Sequence, residues 1–386
     1  MKKLMLIITI MALLLVLVVP FVGCSDKEAT FVDMEGRSLD DLEGKTFERV
    51  VCIGAGALRL YSYIGDVSLL CGVEAIDNTT AEVRPAMFDG VSRPYQMANA
   101  EVFNTLPICG KGGPNDQAAE PEKILACNPD IIISEYGDAS VANALQETLG
   151  IPVVVVHTGS NGVFDEKVTK SFTILGKIFN KQDRANELIN YIASEKAAIE
   201  EKVKNIEVAS QKKVYICGLG NWGTTDELQT AQNYAPFNIA KINNIVTGLT
   251  KDGIQPLESE KFMELAPEMD IIIMDAAAVK NIKKNDEKRA GRMARLEATK
   301  AWADGEIYLE MAYNAYYTNL EIALINTWFA AKSVYPTEFA DVDVEAKTTE
   351  ITTKFLGKDL NAQIKAKPQS FGGYQKITDP AAFFAI

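Results

Sequence analysis

Histidine is almost absent from this 386-residue chain: His157 is the only one. A three-histidine zinc or manganese site and an H-E-x-x-H protease helix therefore cannot be built, and a Ser-His-Asp triad would have to use His157. Cysteine is scarce too. Six in 386 residues are too few for a disulfide scaffold, and no C-x-x-C occurs to support a zinc ribbon or a thioredoxin-like redox motif. There is no G-x-x-x-x-G-K-[S/T] phosphate loop and no G-x-S-x-G nucleophile elbow. Basic residues are in deficit, 39 against 52 acidic, for a net charge of -13. Nucleic acid is not an expected partner, because its binding rests on Lys and Arg contacts to phosphate. The remaining composition, 24% charged and 47% hydrophobic with 26 Gly and 14 Pro, excludes collagen-like, coiled-coil and wholly disordered chains.

What is present begins at the N-terminus. Lys2 and Lys3 precede an apolar run over residues 4–19, then Pro20, Phe21, Val22, Gly23 and Cys24, the three parts of a secretory signal. A spanning anchor is the alternative, since residues 4–23 approach the about 20 that a membrane requires. Pro20 interrupts the run, however, and Phe21-Val22-Gly23-Cys24 resembles a bacterial lipoprotein box, although the family usually has Leu where Phe21 stands. That resemblance implies an acylated Cys24, removal of residues 1–23 and a lipid tether to the membrane on its extracytoplasmic face. Five cysteines remain, an odd number. Cys52 and Cys217 sit in apolar strand-like runs and are expected to be small buried thiols.

From Arg49 onward, short apolar runs alternate with helical patterns. Residues 50–53, 69–73, 130–133 and 153–156, and later 213–217, 271–274 and 307–309, have the near-continuous Val/Ile composition of parallel strands covered on both faces. Between the two groups a helix is expected from Asp183 as N-cap. Ala185, Leu188, Ile192, Ile199, Val203 and Ile206 form one apolar stripe along about 23 residues, or about 35 Å. The predicted fold is α/β, two Rossmann-like lobes with parallel central sheets joined by one long spine helix. The expected divisions are a leader at 1–23, a tether at 24–48, an N-terminal lobe at 49–165, connecting helices at 166–206 and a C-terminal lobe at 207–386. An internal echo supports two related lobes. Glu122 to Pro129 and Glu260 to Pro267 have the same seven-residue spacing, and Asp130 and Asp270 each precede three isoleucines.

Open α/β sheets bind ligands beyond the carboxyl ends of their strands. The aromatic and basic residues placed there are Arg84, Arg93, Tyr95 and Tyr136 in the first half, and Trp222, Tyr313, Tyr316 and Tyr317 in the second. Two facing sets of this kind suit a large, flat or anionic ligand held by stacking and Arg contacts. Gly110 to Pro114 forms a further glycine-rich loop that could meet an anion. The competing reading is an exported dinucleotide-binding oxidoreductase. Gly54 and Gly56 follow a strand, and Glu74 lies twenty residues on, but Arg59 occupies the third small-residue position.

Together these segments resemble the solute-binding lipoproteins of ABC importers for iron-siderophore, haem and cobalamin, over about residues 49–335. The resemblance is carried by the opening 50–65, by 67–74, by Glu122-Lys123-Ile124 through Asp130 and Ile131 to Ile133, by Gly150-Ile151-Pro152, and by the spine. It implies a non-enzymatic, monomeric, exported receptor with no intrinsic cofactor, whose ligand is a metal chelate such as a ferric siderophore, haem or a corrinoid. It also implies an ABC permease and its ATPase as partners, with Glu122 and Glu260 as the docking glutamates. A single histidine fits a chelated metal better than a bare one.

Overall fold

The computed structural model of the protein describes residues 30–113, 118–160, 162–220 and 225–385. The leader, Cys24 and Trp222 lie outside the described residues, as does Pro114 of the glycine-rich loop.

Each apolar run after residue 49 becomes a short strand. In the first half, β1 (Val50–Ile53), β2 (Leu70–Glu74), β3 (Ile108–Gly110), β4 (Ile131–Ser134) and β5 (Val153–Val155) form one sheet in the order β3-β2-β1-β4-β5, every pairing parallel. Helices α1 (Ala57–Ile64), α2 (Pro94–Phe103), α3 (Pro121–Ala126) and α4 (Ala139–Leu149) connect these strands. β1, β4 and β5 are buried along their whole length, which is why their sequence shows no polar alternation.

Next come α5 (Glu166–Ile178) and the spine, α6 (Gln182–Val203), whose 22 residues run about 33 Å. Ala185, Leu188, Ile192, Ile199 and Val203 are all buried along one stripe. The seven-residue gap between Ile192 and Ile199 is filled by Glu195, also buried, which accepts hydrogen bonds from Trp328 Nε1 at 2.7 Å and Lys347 Nζ at 3.0 Å. Two details differ from expectation. Lys181 rather than Asp183 is the N-cap, so Asp183 lies in the first turn, where the helix dipole favours an acid. Ile206 falls beyond the end of the helix.

The second half contains β6 (Val214–Cys217), β7 (Gln229–Thr230), α7 (Ala235–Ile239), β8 (Gln255–Pro256), α8 (Ser259–Leu265), β9 (Ile271–Asp275) and α9 (Ala276–Ile282). It continues through α10 (Arg289–Glu297), α11 (Lys300–Asp304), β10 (Ile307–Glu310), α12 (Leu320–Val334), α13 (Val344–Leu356), α14 (Asn361–Ala366), β11 (Gln375–Ile377) and α15 (Pro380–Phe383). Its main sheet has the order β11-β10-β9-β6 and is not wholly parallel, because β11 returns antiparallel along the edge of β10. β7 and β8 form a separate antiparallel pair.

The internal echo has a structural cause. Asp130 accepts the backbone N–H groups of Glu48 and Arg49 at 2.8 and 3.1 Å, and Asp270 accepts that of Lys213 at 2.9 Å. In each half, this aspartate ties the start of the isoleucine strand to the start of the strand beside it, with Val50 paired to Ile131 and Val214 to Ile271.

The two halves also meet at the start of the spine and beside it. Arg184 on α6 donates to the carbonyls of Lys354 and Phe355 on α13 at 2.7 and 2.9 Å, and Phe355 packs edge-on against Tyr63 of α1 at 5.1 Å between ring centroids. Cys52, Cys71, Cys109, Cys127 and Cys217 are all buried free thiols. Burial pushes Cys52, Cys109 and Cys217 well up, which leaves them chemically quiet.

Candidate functional site

A cavity of about 570 Å³ opens where strand ends of the two halves face each other. Gly159 and Ser160, just after β5, form one wall. The other comes from the segments after β6, β7 and β10, with Tyr234, Tyr313 and Tyr317 as its aromatic surfaces and Asn233, Asn238 and Asn314 as its amides. Asp252, an exposed residue, also lines the cavity. A groove of about 550 Å³ lies within the second half, beside Tyr308, Phe329 and Tyr374. We assign the site to the first cavity because it sits at the carboxyl ends of the strands, where loops carry side chains out of the sheet.

The segment 313–318 after β10 shapes this cavity and is backbone-strained. Tyr316 and Tyr317 adopt positive φ, 57° and 62°, a conformation that costs a bulky residue about 1–2 kcal/mol. Arg59 holds them there. Its side chain is fully buried and crosses from α1 to donate to the carbonyls of Tyr316 and Ala315, both at 2.7 Å, and to Asn319 Oδ1 at 3.1 Å, with the guanidinium over the Tyr95 ring. Asn319 in turn donates to the carbonyls of Ser92 and Ala312. The position that departs from a dinucleotide fingerprint is therefore a strut between the two halves.

The structure brings Tyr313 and Tyr317 to the cavity wall and places Arg84, Arg93, Tyr95, Tyr136 and Tyr316 elsewhere. Arg93 donates to Asp77 Oδ1 at 3.0 Å and to the Ile76 carbonyl at 2.8 Å, and Tyr95 Oη donates to the same Asp77 oxygen at 2.5 Å. All three side chains are buried. Arg84 pairs with Asp89 on a surface loop. Tyr136 and Tyr316 converge on Glu74, donating at 2.6 and 2.8 Å, and Gly54 N–H adds a third bond at 3.1 Å. Each of the N-terminal candidates is thus satisfied by an acid of its own half, so the expected pair of facing Arg and Tyr sets does not form. Tyr316 reaches across from the second half to the same acid and to the Gly113 N–H. His157 lies apart from the cavity and pairs with Glu35 at 2.7 Å.

The same contacts argue against the dinucleotide reading. Glu74 would have to meet a ribose hydroxyl, yet it is buried under two tyrosines, and burial lifts its carboxyl to about 7. Gly56 faces Glu135, and a Cβ at residue 56 would strike Glu135 Oε2 and approach the Tyr317 ring to 3.3 Å. A pyrophosphate at this turn would therefore meet a carboxyl group rather than open donors. Glu135 itself accepts from Thr158 N and Oγ1 at 2.8 and 2.9 Å through Oε1, and burial lifts it to about 8.

Sequence reasoning missed Tyr234, Asn233, Asn238, Asn314 and Asp252. The available signal was the Gln232-Asn233-Tyr234-Ala235-Pro236 run, a polar turn with proline opening a short helix. Glu122 and Glu260 are both exposed, in the first turns of α3 and α8. One turn further on, each helix exposes a large apolar side chain, Leu125 at 48% and Met263 at 43%.

Comparison with known proteins agrees with this architecture. Residues 88–309, more than half of the chain, match the periplasmic binding protein family. The molybdate-binding protein MolA of Haemophilus influenzae is 20% identical over 264 residues, covering 61% of this chain and 69% of that protein. Its molybdate-bound structure superposes with a TM-score of 0.61 at 16% identity, over 82% of this chain and 95% of that one. A periplasmic solute-binding protein from Veillonella parvula gives 0.64 at 18% identity, over 88% and 95%. An ABC transporter solute-binding protein from Sulfurospirillum deleyianum gives 0.60 at 20% identity, over 89% and 100%. With its two α/β sheets, its spine helix and its cavity between strand ends, the chain belongs to the periplasmic binding protein family, the extracytoplasmic solute receptors of ABC importers.

Proposed function

We propose that the protein captures a metal chelate in the cavity between Ser160 and the 313–318 segment and presents it to a membrane permease. The observation that carries this reading is the cavity itself, with tyrosine faces and asparagine amides converging on a space of about 570 Å³. Aromatic surfaces with a few convergent polar groups suit a drug-sized organic ligand. Among the described residues no group of three or more His, Cys, Asp or Glu is placed to hold a bare ion. A solute that arrives with its metal already coordinated needs no such group.

In the same reading, Glu122 and Glu260 dock onto basic residues of the permease, one from each lobe. Leu125 and Met263 lie one turn away on the same helices and supply matching apolar contacts. The receptor acts as a monomer, needs no cofactor and catalyses no reaction. Acylated Cys24 tethers it outside the membrane, with the residues up to about 48 as the connection. Uptake by cells carrying Glu122→Lys together with Glu260→Lys tests the docking assignment. Transport is expected to fall to background while the purified variant keeps its ligand affinity and melting temperature. Unchanged uptake removes the assignment.

A further inference from the structure

We propose that the ligand of this cavity carries no net negative charge. The inference rests on the receptor reading above and concerns only what the receptor selects. Among the described residues that line the cavity there is no Lys, Arg or His, and the ionisable acid is Asp252. The residues between 30 and 385 outside the described set are 114–117, 161 and 221–224, and their sequence contains no basic residue either.

The arginines expected to clamp an anion are engaged elsewhere: Arg93 with Asp77, Arg84 with Asp89, and Arg59 with the carbonyls of Ala315 and Tyr316. Carboxyl groups stand directly behind the lining. Tyr234 Oη donates to Glu310 at 2.6 Å, Tyr313 N–H to Asp275 at 3.0 Å and Ser160 N–H to Asp165 at 2.9 Å. Glu135 adjoins Tyr317 across Gly56. Glu135 Oε2 and Glu310 Oε2 are buried without a hydrogen-bond partner among the described residues. Arg59 and Lys167 are the cations that act on Glu135, and neither lines the cavity.

An anion entering this space would lose its hydration without gaining a countercharge, and it would oppose ionisation of the groups behind the wall. A cation would favour that ionisation. Asn233 already donates to Asp252 at 2.8 Å, and Asn314 donates to the Gly220 carbonyl and accepts from Thr318 Oγ1, both at 2.9 Å. Each of these amides keeps a second N–H and a further lone pair, and with Asn238 they give the donors and acceptors that a neutral amide-like or hydroxamate-like ligand requires. The short α7 at the cavity edge does not replace a cation, since Pro236 removes one of its first N–H groups.

Isothermal titration of the mature protein against complexes of graded charge tests the inference. The probes are a linear trihydroxamate iron(III) complex bearing a free ammonium, a neutral cyclic trihydroxamate complex, cyanocobalamin, a tris-catecholate iron(III) complex of charge -3, haem and molybdate. At least one neutral or cationic probe is expected to bind about tenfold or more tightly than any of the three anionic ones. Asp252→Lys, at an exposed position, is expected to shift that ratio about tenfold toward the anions with little change in melting temperature. Equal or tighter binding of tris-catecholate, haem or molybdate overturns the inference and leaves the receptor reading standing. Binding of no probe removes the metal-chelate reading, and the inference with it.

Discussion

Replacing Arg59 with methionine removes the strut that joins α1 to the 313–318 segment while keeping an unbranched side chain of similar reach. Three acceptors lose their charged donor: the Ala315 and Tyr316 carbonyls and Asn319 Oδ1. Hydrogen bonds to a charged group contribute about 1.5–3 kcal/mol each, and a buried acceptor left unpaired costs about 1–3 kcal/mol. Part of this is offset because the variant no longer buries a guanidinium, so the net loss is about 3–5 kcal/mol, the usual cost of breaking a buried charged constellation. Arg59 also holds down the carboxyls of Glu321 and Asp77, whose burial pushes them up, and its removal pushes both further. Tyr316 and Tyr317 are then free to leave the left-handed region, and Tyr317 leaves the cavity wall. Urea denaturation followed by circular dichroism measures the loss, and titration with the best-binding probe measures the effect on the site. Both stability and affinity should fall, with Arg59→Lys intermediate in both because a point charge cannot reach three acceptors. Stability within about 0.5 kcal/mol of the native protein, the ordinary range for surface changes, would refute the strut.

Stability should also decline as pH rises from about 5 to 8. Burial lifts Glu74 and Asp275 to about 7 and Glu135 to about 8. Across that window the native state keeps protons that the unfolded chain has released, and the loss is on the order of 3 kcal/mol for each group. Melting temperatures measured in steps across this range check the slope, and a flat or rising curve contradicts the burial of these groups. The spine, the Arg59 strut and the Arg184 contacts to α13 together predict a small closure on ligand binding. Small-angle scattering of free and ligand-saturated protein should show a change in radius of gyration below about 1 Å, the scale of pre-organised complexes. A change of several ångströms would mean that the two halves hinge freely.

Most of the fold is legible in the sequence because it depends on local pattern. The Val/Ile runs of β1, β4 and β9 mark strands covered on both faces, and the stripe from Ala185 to Val203 marks the buried side of the spine. β3, β7, β8 and β11 have only two or three residues each and lie at edges or in a separate pair, too short for periodicity to register. The site is harder to read. The rule that ligands bind beyond strand ends points to the correct region, but which side chains face the cavity depends on distant partners. Arg93 and Tyr95 look like ligand contacts until Asp77, sixteen and eighteen residues away, takes both. Tyr136 is removed in the same way by Glu74, 62 residues away. Arg59 reads as a defect in a glycine-rich turn, and only the approach of residues 315–319 shows its purpose.

Diffraction at the iron absorption edge, from crystals grown with the tightest-binding iron complex of the panel, tests the central claim most directly. The account predicts one anomalous peak per molecule in the cavity bounded by Ser160, Asn314 and Tyr317. A peak in the groove beside Tyr308 and Phe329, with none between the two halves, would contradict it.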